Sequence, residues 1–556
     1  MSSAASIMSL EKAEKKEEPS ATPLPLPTDV EKQQPEQPPA QPEYVTGFKL
    51  WTMMAGVTLV CFLMLLDISI VSTATPKITS DFHSLTNVGW YGAAYQLASA
   101  TLQPLTGKIY TQFNLKWSFF AFFLVFEIGS LLCGVATSSN MLIVGRAVAG
   151  IGGSGLQNGA ITIITNASPM HKRPMLLGVV IGFGQLGLVA GPLIGGVLTE
   201  FASWRWCFYI NLPLGAVVAA LLVFTPVPES IPKPPARSVL PTLHHKLDLV
   251  GFSIFAPAAI MLLLAVQWGG NAYPWDSSVV IGLLCGSVAT ALVWGVWNYR
   301  KGDDAMLPFP MLRRRNVWTS CLVGGSLGAA MYCNSYYLPI YFQGVRNKSP
   351  AISGVYLLPS ILSQLISGVA VGKLMGVFGY YLPWGVASGA LQAIGYGLLS
   401  TLHPHSSAGA WIGYQIIAGI GRGFAMTIPF IAIQNTLQPA QIPVAMSLAI
   451  AAQTFFGAVF LSFADTIFTN SLRSLVASTV GSANAATVAH AGAYAFRRVV
   501  PKGDLADVLV AYSKSIDRVF YMCVGLAGAC FVSSWGLGWV DIRQNKPKKA
   551  EEAREK

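Results

Sequence analysis

The sequence predicts an all-α membrane protein of about 14 transmembrane helices, two six-helix bundles plus an inserted helix pair. Three observations predict it. Apolar runs of spanning length recur along the chain, with 53% hydrophobic and only 11% charged residues, against ~25% charged in soluble proteins. Lys and Arg gather in alternate connections. Two sequence phrases recur eight spans apart.

Crossing a hydrocarbon core takes ~20 apolar residues. Runs of that length lie near 50–72, 88–109, 117–137, 141–165, 175–198, 206–226, 248–267, 278–298, 317–342, 351–377, 382–401, 409–435, 444–470 and 518–540. An even number of spans puts both termini on one side. If that side is the cytosol, its short connections hold Lys108, Lys116, Lys172, Arg173, Lys233, Arg237, Lys246, Arg300, Lys301, Arg313, Arg314, Arg315 and Lys373. The opposite short connections hold only Lys77, Arg205, Arg346 and Lys348. This is the positive-inside pattern. It accounts for the net charge of +11 without a nucleic-acid partner, and leaves the lipid bilayer as the surrounding partner.

Residues 1–46 mix a Glu/Lys run with Pro and Gln, and read as a disordered cytosolic tail. No apolar signal-peptide core precedes the first span. Residues 47–226 are expected to form the N-terminal bundle and 227–310 the linkers with inserted helices seven and eight. Residues 311–540 are expected to form the C-terminal bundle, with a long outer loop at about 471–517, before a cytosolic tail at 541–556. The eight cysteines lie inside predicted spans without zinc-type spacing and read as apolar filler. The seven histidines are scattered in connections without Cys or carboxylate company, so no metal, cofactor or enzyme chemistry is expected. No GxxxxGK[ST] run is present, which argues against direct ATP drive. Asn347-Lys348-Ser349 is a glycosylation candidate at Asn347.

Val148–Pro169 (VAGIGGSGLQNGAITIITNASP) in span four shares AGIG, an apolar run and a polar end in Pro with Ile417–Pro439 (IAGIGRGFAMTIPFIAIQNTLQP) in span twelve. A weaker echo pairs GKIYTQF (Gly107–Phe113) with GKLMGVF (Gly372–Phe378). The common offset of eight spans fits two related six-helix bundles separated by an inserted pair. Paired bundles that rock about a midplane site are a recurrent transporter design.

Charges inside a bilayer cost at least ~2.5–3.5 kcal/mol and need a partner or a wet cavity. Asp67, late in span one, lies roughly 25–28 Å along the helix axis. Arg146, early in the inward-running span four, lies at similar depth, so the two are expected to pair. Pairing favours the ionised Asp67 and separation its protonated form, a route to coupling proton movement to a conformational change; a permanent structural pair is the alternative. Glu127, near mid-depth in span three, is either a second protonatable site or a structural acid. Arg422, near mid-depth in span twelve, either binds an anionic ligand group or caps helix-end carbonyls. Tyr95, Gln96, Gln157, Asn158, Gln185, Asn334, Tyr336 and Gln453 are candidates to line a cavity for an amphiphile, against interhelical hydrogen bonding.

Span five holds GLVAGPLIGG (Gly187–Gly196). In lipid the backbone must stay near helical, so Gly187, Gly191, Gly195 and Gly196 let another helix approach closely, while Pro192 frees a carbonyl and bends the axis.

Four stretches in order, LDISIVSTATPKI (Leu66–Ile78), VGWYGAAYQLASATLQPLTGKIY (Val88–Tyr110), LIVGRAVAGIGGSG (Leu142–Gly155) and the Gly-Pro helix followed by SWRWCFYINLPLG (Ser203–Gly215), resemble the major facilitator superfamily. The chain is most similar to its fourteen-helix drug:proton antiporter branch, and within that to fungal efflux pumps for toxins and secondary metabolites. The resemblance implies the major facilitator fold and export of small amphipathic compounds in exchange for protons. It implies that Gly187, Gly191, Pro192, Gly195 and Gly196 are the antiporter motif, that Arg146 takes part in proton transfer and that Asp67 is the acid of the first helix. It implies a plasma-membrane location, with the vacuolar membrane as alternative, and a monomer. The loop after span two departs from the family pattern: Thr111, Asn114 and Leu115 replace its acid, glycine and arginine, putting its charge latch in doubt. The competing reading is a proton symporter or facilitator importing a nutrient, sugar or siderophore; Pro226–Ser230 (PVPES) resembles a sugar-porter phrase whose continuation does not fit.

Overall fold

The computed structural model describes residues 44–83, 88–229, 233–270, 273–480, 497, 500–501 and 503–543. Its long helices, in chain order, are α1 (Gly47–Phe82), α2 (Val88–Gln112), α3 (Leu115–Gly134), α4 (Ser139–Ala167), α5 (Arg173–Phe201), α6 (Trp206–Val223) and α7 (Leu249–Trp268). They continue as α8 (Ser278–Lys301), α9 (Arg315–Ile340), α10 (Ala351–Phe378), α11 (Leu382–Leu399), α12 (Ala408–Thr436), α13 (Ile442–Val480) and α14 (Leu505–Ser534). Polar caps mark several starts: Asn114, Ser138, Ser277 and Ser407 each accept a backbone N–H of the first turn, the usual satisfaction of orphan donors.

Ten of these helices are long and apolar enough to cross a membrane. The others are α2, α4, α9 and α11, diluted by small and polar residues; α4 alone holds Gly145, Gly150, Gly152, Gly153, Gly155 and Gly159. Those glycines are where neighbouring backbones come close. A Cβ on Gly150 would sit 3.0 Å from Tyr95 Cα of α2, and one on Gly152 2.7 Å from Phe126 Cα of α3.

The AGIG echo is therefore also a packing echo. In α12, Gly419 abuts Ser360 of α10 and Gly421 abuts Gln392 of α11. Gly129 of α3 leaves room for Ala149, and Gly395 of α11 leaves room for Ala418; a Cβ on either would lie 2.6 Å from the partner's Cα. The second echo behaves alike. A Cβ on Gly107 would be 2.6 Å from Val444 Cα in the first turn of α13, and one on Gly372 2.7 Å from Met175 Cα in the first turn of α5. Within each half the contacts recur with helix numbers raised by eight, and the Gly107 and Gly372 contacts exchange α2 against α13 for α10 against α5. Likewise α1 packs on α5 as α9 packs on α13, and α2 on α4 as α10 on α12. Between the halves, α5 meets α10 and α2 meets α13, one contact made twice with roles exchanged.

Helix α7 lies against α2, α13 and α8. Its start is knitted by Asp248, whose carboxylate accepts from Gly251 N, from Trp297 Nε1 at 3.0 Å and from Met306 N at 2.8 Å. Val288, Leu292, Val293 and Val296 of α8 are exposed.

Two expectations need correction. The outer loop at 471–517 is partly helix, because α13 runs on to Val480 and α14 begins at Leu505. Leu472 and Val476, then Val508, Ala511, Tyr512 and Ile516, are buried at helical spacing. The polar face between them lowered the hydropathy that a span search reads. Residues 481–496 of that loop, most of the expected N-terminal tail and most of the C-terminal tail lie outside the described residues. Lys108, expected in a connection, is inside α2 and buried, its Nζ donating to Asp304 O at 3.3 Å. Of the cysteines, six are buried, Cys321 is half-buried and Cys285 is exposed; all are free thiols.

Candidate functional site

Asp67 of α1 and Arg146 of α4 form an ion pair, Nη1 to Oδ2 at 2.5 Å, with both side chains almost wholly buried. The guanidinium is held on two further sides: Nε donates to Tyr91 O at 2.9 Å, and the Tyr95 ring lies 4.8 Å from the guanidinium carbon. Asn211 of α6 holds the other carboxylate oxygen, Nδ2 to Oδ1 at 3.3 Å, and also donates to Ser130 Oγ of α3 at 3.0 Å. Five helices thus converge on one charge pair. Glu127 stands one turn before Ser130 on α3, facing Gly215 one turn after Asn211 on α6; a Cβ on Gly215 would be 2.7 Å from Glu127 Cδ. Both Glu127 carboxyl oxygens are buried without a hydrogen-bond partner. Tyr95 belongs to this cluster, its hydroxyl buried and unpartnered.

The glycine face of α5 lies against the same stretch of α1. A Cβ on Gly187 would sit 2.8 Å from Leu66 N, and one on Gly191 2.8 Å from Ile70 N; Gly195 meets Ile70 and Thr73. Ser69 Oγ donates to Gly187 O at 3.1 Å. Gly196 has nothing within 4 Å of the Cβ position, so it lies off this face. Pro192 lies inside a helix that stays continuous from Arg173 to Phe201.

A second polar site lies where the halves meet. A pocket of at most ≈ 280 Å³ is lined by Gln185 of α5, Asn334 and Ser335 of α9, Ser360 and Gln364 of α10, and Arg422 of α12. Arg422 is buried; its Nη2 donates to Ser360 Oγ and, at 3.5 Å, to Ser360 O. Its Nε is buried with no acceptor, as is Asn334 Oδ1 with no donor. A buried charge stripped of its partner typically costs ~3–5 kcal/mol, so this cation is an expensive feature to keep.

Three sequence candidates, Gln185, Asn334 and Arg422, come together here; the others do not line it. Asn158 is a clamp, donating to Thr106 Oγ1 at 3.1 Å and to Pro443 O of α13 at 3.4 Å. Gln453 packs beside Gly324 and Gly328 of α9. Gln96 and Gln157 are half-buried elsewhere, and Tyr336 is exposed. Ser360 and Gln364 were missed, although Ser360, Ser363, Gln364 and Ser367 make a polar stripe at helical spacing in an apolar span. Ser130 and Asn211 gave no comparable signal.

The altered loop after α2 makes backbone contacts in place of a charge latch. Lys116 Nζ donates to Val223 O and Thr225 O at the end of α6, and Glu229 accepts from Leu115 N at 2.7 Å. Lys233 Nζ donates to Tyr110 O and Phe113 O; burial lowers its pKa, with Glu229 opposing. Asn347 is exposed in a left-handed turn (φ 55°), while Ser349 of its sequon caps the next helix.

The description "Major Facilitator Superfamily" matches residues 57–462. The chain is 59% identical to the MFS-type transporter pigP of Monascus ruber, over 93% of this chain and 91% of that one. It is 50% identical to the efflux pump mlcE of Penicillium citrinum, over 91% and 93%. Among solved structures, the human organic anion transporter MFSD10 superposes with a TM-score of 0.54 at 13% identity, over 87% of this chain and 100% of that chain, a likeness of fold alone. With a family match over most of its length, and with such relatives across nine tenths of it, this chain belongs to the major facilitator superfamily of multi-pass membrane transporters.

Proposed function

We propose that the protein exports small amphipathic metabolites in exchange for protons, by alternating access between two six-helix bundles, residues 47–226 and 311–540, with α7 and α8 inserted between them. The reading takes all fourteen long helices as spans, both termini as cytosolic, the plasma membrane as the location and the monomer as the working unit. The efflux pumps among its relatives support the direction of transport.

The buried Asp67–Arg146 pair carries this reading. Two charges are tolerated at depth only together. A proton on Asp67 removes one of them and leaves Arg146 to find another partner, so proton binding and helix rearrangement are linked. The glycine face of α5 grips α1 on either side of Asp67, from Leu66 to Thr73, so movement of α5 against α1 is felt at the carboxylate. Glu127, with no partner among the described residues, is the second proton carrier in this scheme. An inward proton supplies roughly 2.3 kcal/mol per 100 mV of membrane potential.

The test is export from cells in which the native gene is deleted and replaced by wild type or Asp67→Asn. Retention of the cells' own secondary metabolites is measured by mass spectrometry, with and without a protonophore. Wild type should clear them only while the proton gradient stands, and Asp67→Asn should retain them although the protein reaches the membrane. Gradient-dependent clearance by Asp67→Asn would overturn the assignment.

A further inference from the structure

We infer that the pocket at Arg422 is an anion subsite, and that the exported compounds carry an acidic group, a carboxylate or an ionised enol or phenol. This rests on the efflux reading above and names the class of cargo within it.

Two arginines are buried within the bundle, and they are treated differently. Arg146 has Asp67. Arg422 meets no carboxylate at ion-pair distance among the described residues, although it is only 2% exposed. A guanidinium stays charged in any protein environment and offers five donors in a planar fork. Ser360 accepts from one edge of that fork, and Nε has no acceptor at all. The buried Tyr396 phenol beside the guanidinium is neutral and supplies no countercharge, and Arg422 lines the pocket together with the unpaired amide oxygen of Asn334. An amide can turn to offer either donor or acceptor, so Asn334 suits the second oxygen or a neighbouring hydroxyl of an acid headgroup.

Position agrees with this. The pocket takes Gln185 from α5 and all its other named polar groups from α9, α10 and α12, so a bound anion would touch both halves. In this conformation the space has room for little more than a water-sized group, so an acid headgroup would have to part its lining, in which Met331, Leu357 and Ile361 stand beside the polar residues. Arg422 sits in the last turn of the helical segment Ala408–Ala425, but its Nη2 reaches across to Ser360 of α10 instead of bonding the carbonyls of that end.

The test uses the purified full chain in lipid nanodiscs, with 2-naphthoate and its uncharged isostere 2-naphthamide as probes. Binding is read by calorimetry and by the shift in unfolding temperature. Wild type should prefer naphthoate by about tenfold, a difference of about 1.4 kcal/mol. Arg422→Gln should lose that preference while keeping its affinity for naphthamide within about twofold, and Arg422→Lys, which keeps a charge, should retain part of it. Equal affinities in wild type, no binding of either probe, or an unchanged preference in Arg422→Gln overturns the proposal. Because no proton gradient is present, failure of proton-driven export with a persisting naphthoate preference would remove the export reading and leave the anion subsite. Intact export without that preference would do the reverse.

Discussion

Asp67 and Arg146 neutralise each other so deep in the structure that stability and transport should respond differently to their removal. Asp67→Asn and Arg146→Gln each strand one buried charge and should each destabilise the protein by ~3–5 kcal/mol. The double variant has no charge to strand, so its unfolding temperature should recover well above the additive expectation, as coupled neighbours do. Transport should be absent in all three. A double variant as unstable as the sum would mean that the two residues do not act as a pair; one that transports would show the pair to be structural. This pair was legible in the sequence because a rise of 1.5 Å per residue converts position into depth, and two opposite charges at one depth have few alternatives. The residues that steady it were not legible. Ser130 and Asn211 are neutral and scattered, and periodicity does not say which face of α3 meets which face of α6. The same gap explains why Asn158, polar and deep, turned out to hold helices together while Ser360 and Gln364 line the pocket.

At the scale of the element, α5 tests whether its glycines are needed for contact or only for bending. Gly187 and Gly191 face backbone atoms of α1 at distances no Cβ occupies, whereas Gly196 faces open space. Gly187→Ala and Gly191→Ala should therefore each cost ~1–3 kcal/mol, as overpacking does. Gly196→Ala should leave the unfolding temperature unchanged or slightly raised, since alanine is the better helix former. Equal losses at Gly187 and Gly196 would place the requirement in bending, not in contact. The existence of this helix and its small-residue face could be read directly from an apolar run of spanning length. Where helices stop was harder: α13 and α14 extend into a stretch that reads as loop, because a buried stripe such as Val508, Ala511, Tyr512 and Ile516 is averaged away by the polar face beside it.

For the whole molecule, the repeated contacts carry the argument. Gly107 against Val444 and Gly372 against Met175 occupy the same place in two halves related by an offset of eight helices. They lie at the C-terminal ends of α2 and α10 and the N-terminal ends of α13 and α5, the end that the proposed orientation turns to the cytosol. Closure there is thus built from glycine against backbone, twice, and the missing charge latch of the loop after α2 has a packing substitute. An added Cβ at either glycine meets backbone that cannot turn aside, so Gly107→Ala and Gly372→Ala should each wedge that end open. The reporter is a cysteine at Ser447, which is buried beside Gly107, labelled by a membrane-impermeant maleimide applied from that side. If the halves rock as two rigid bodies, Gly372→Ala should raise labelling at Ser447 about as much as Gly107→Ala, although Gly372 sits on the other contact. Gly397→Ala, with nothing near its Cβ position, should not. Labelling raised only by Gly107→Ala would mean that the two contacts open independently, and motion of the bundles as rigid units would then have to be abandoned.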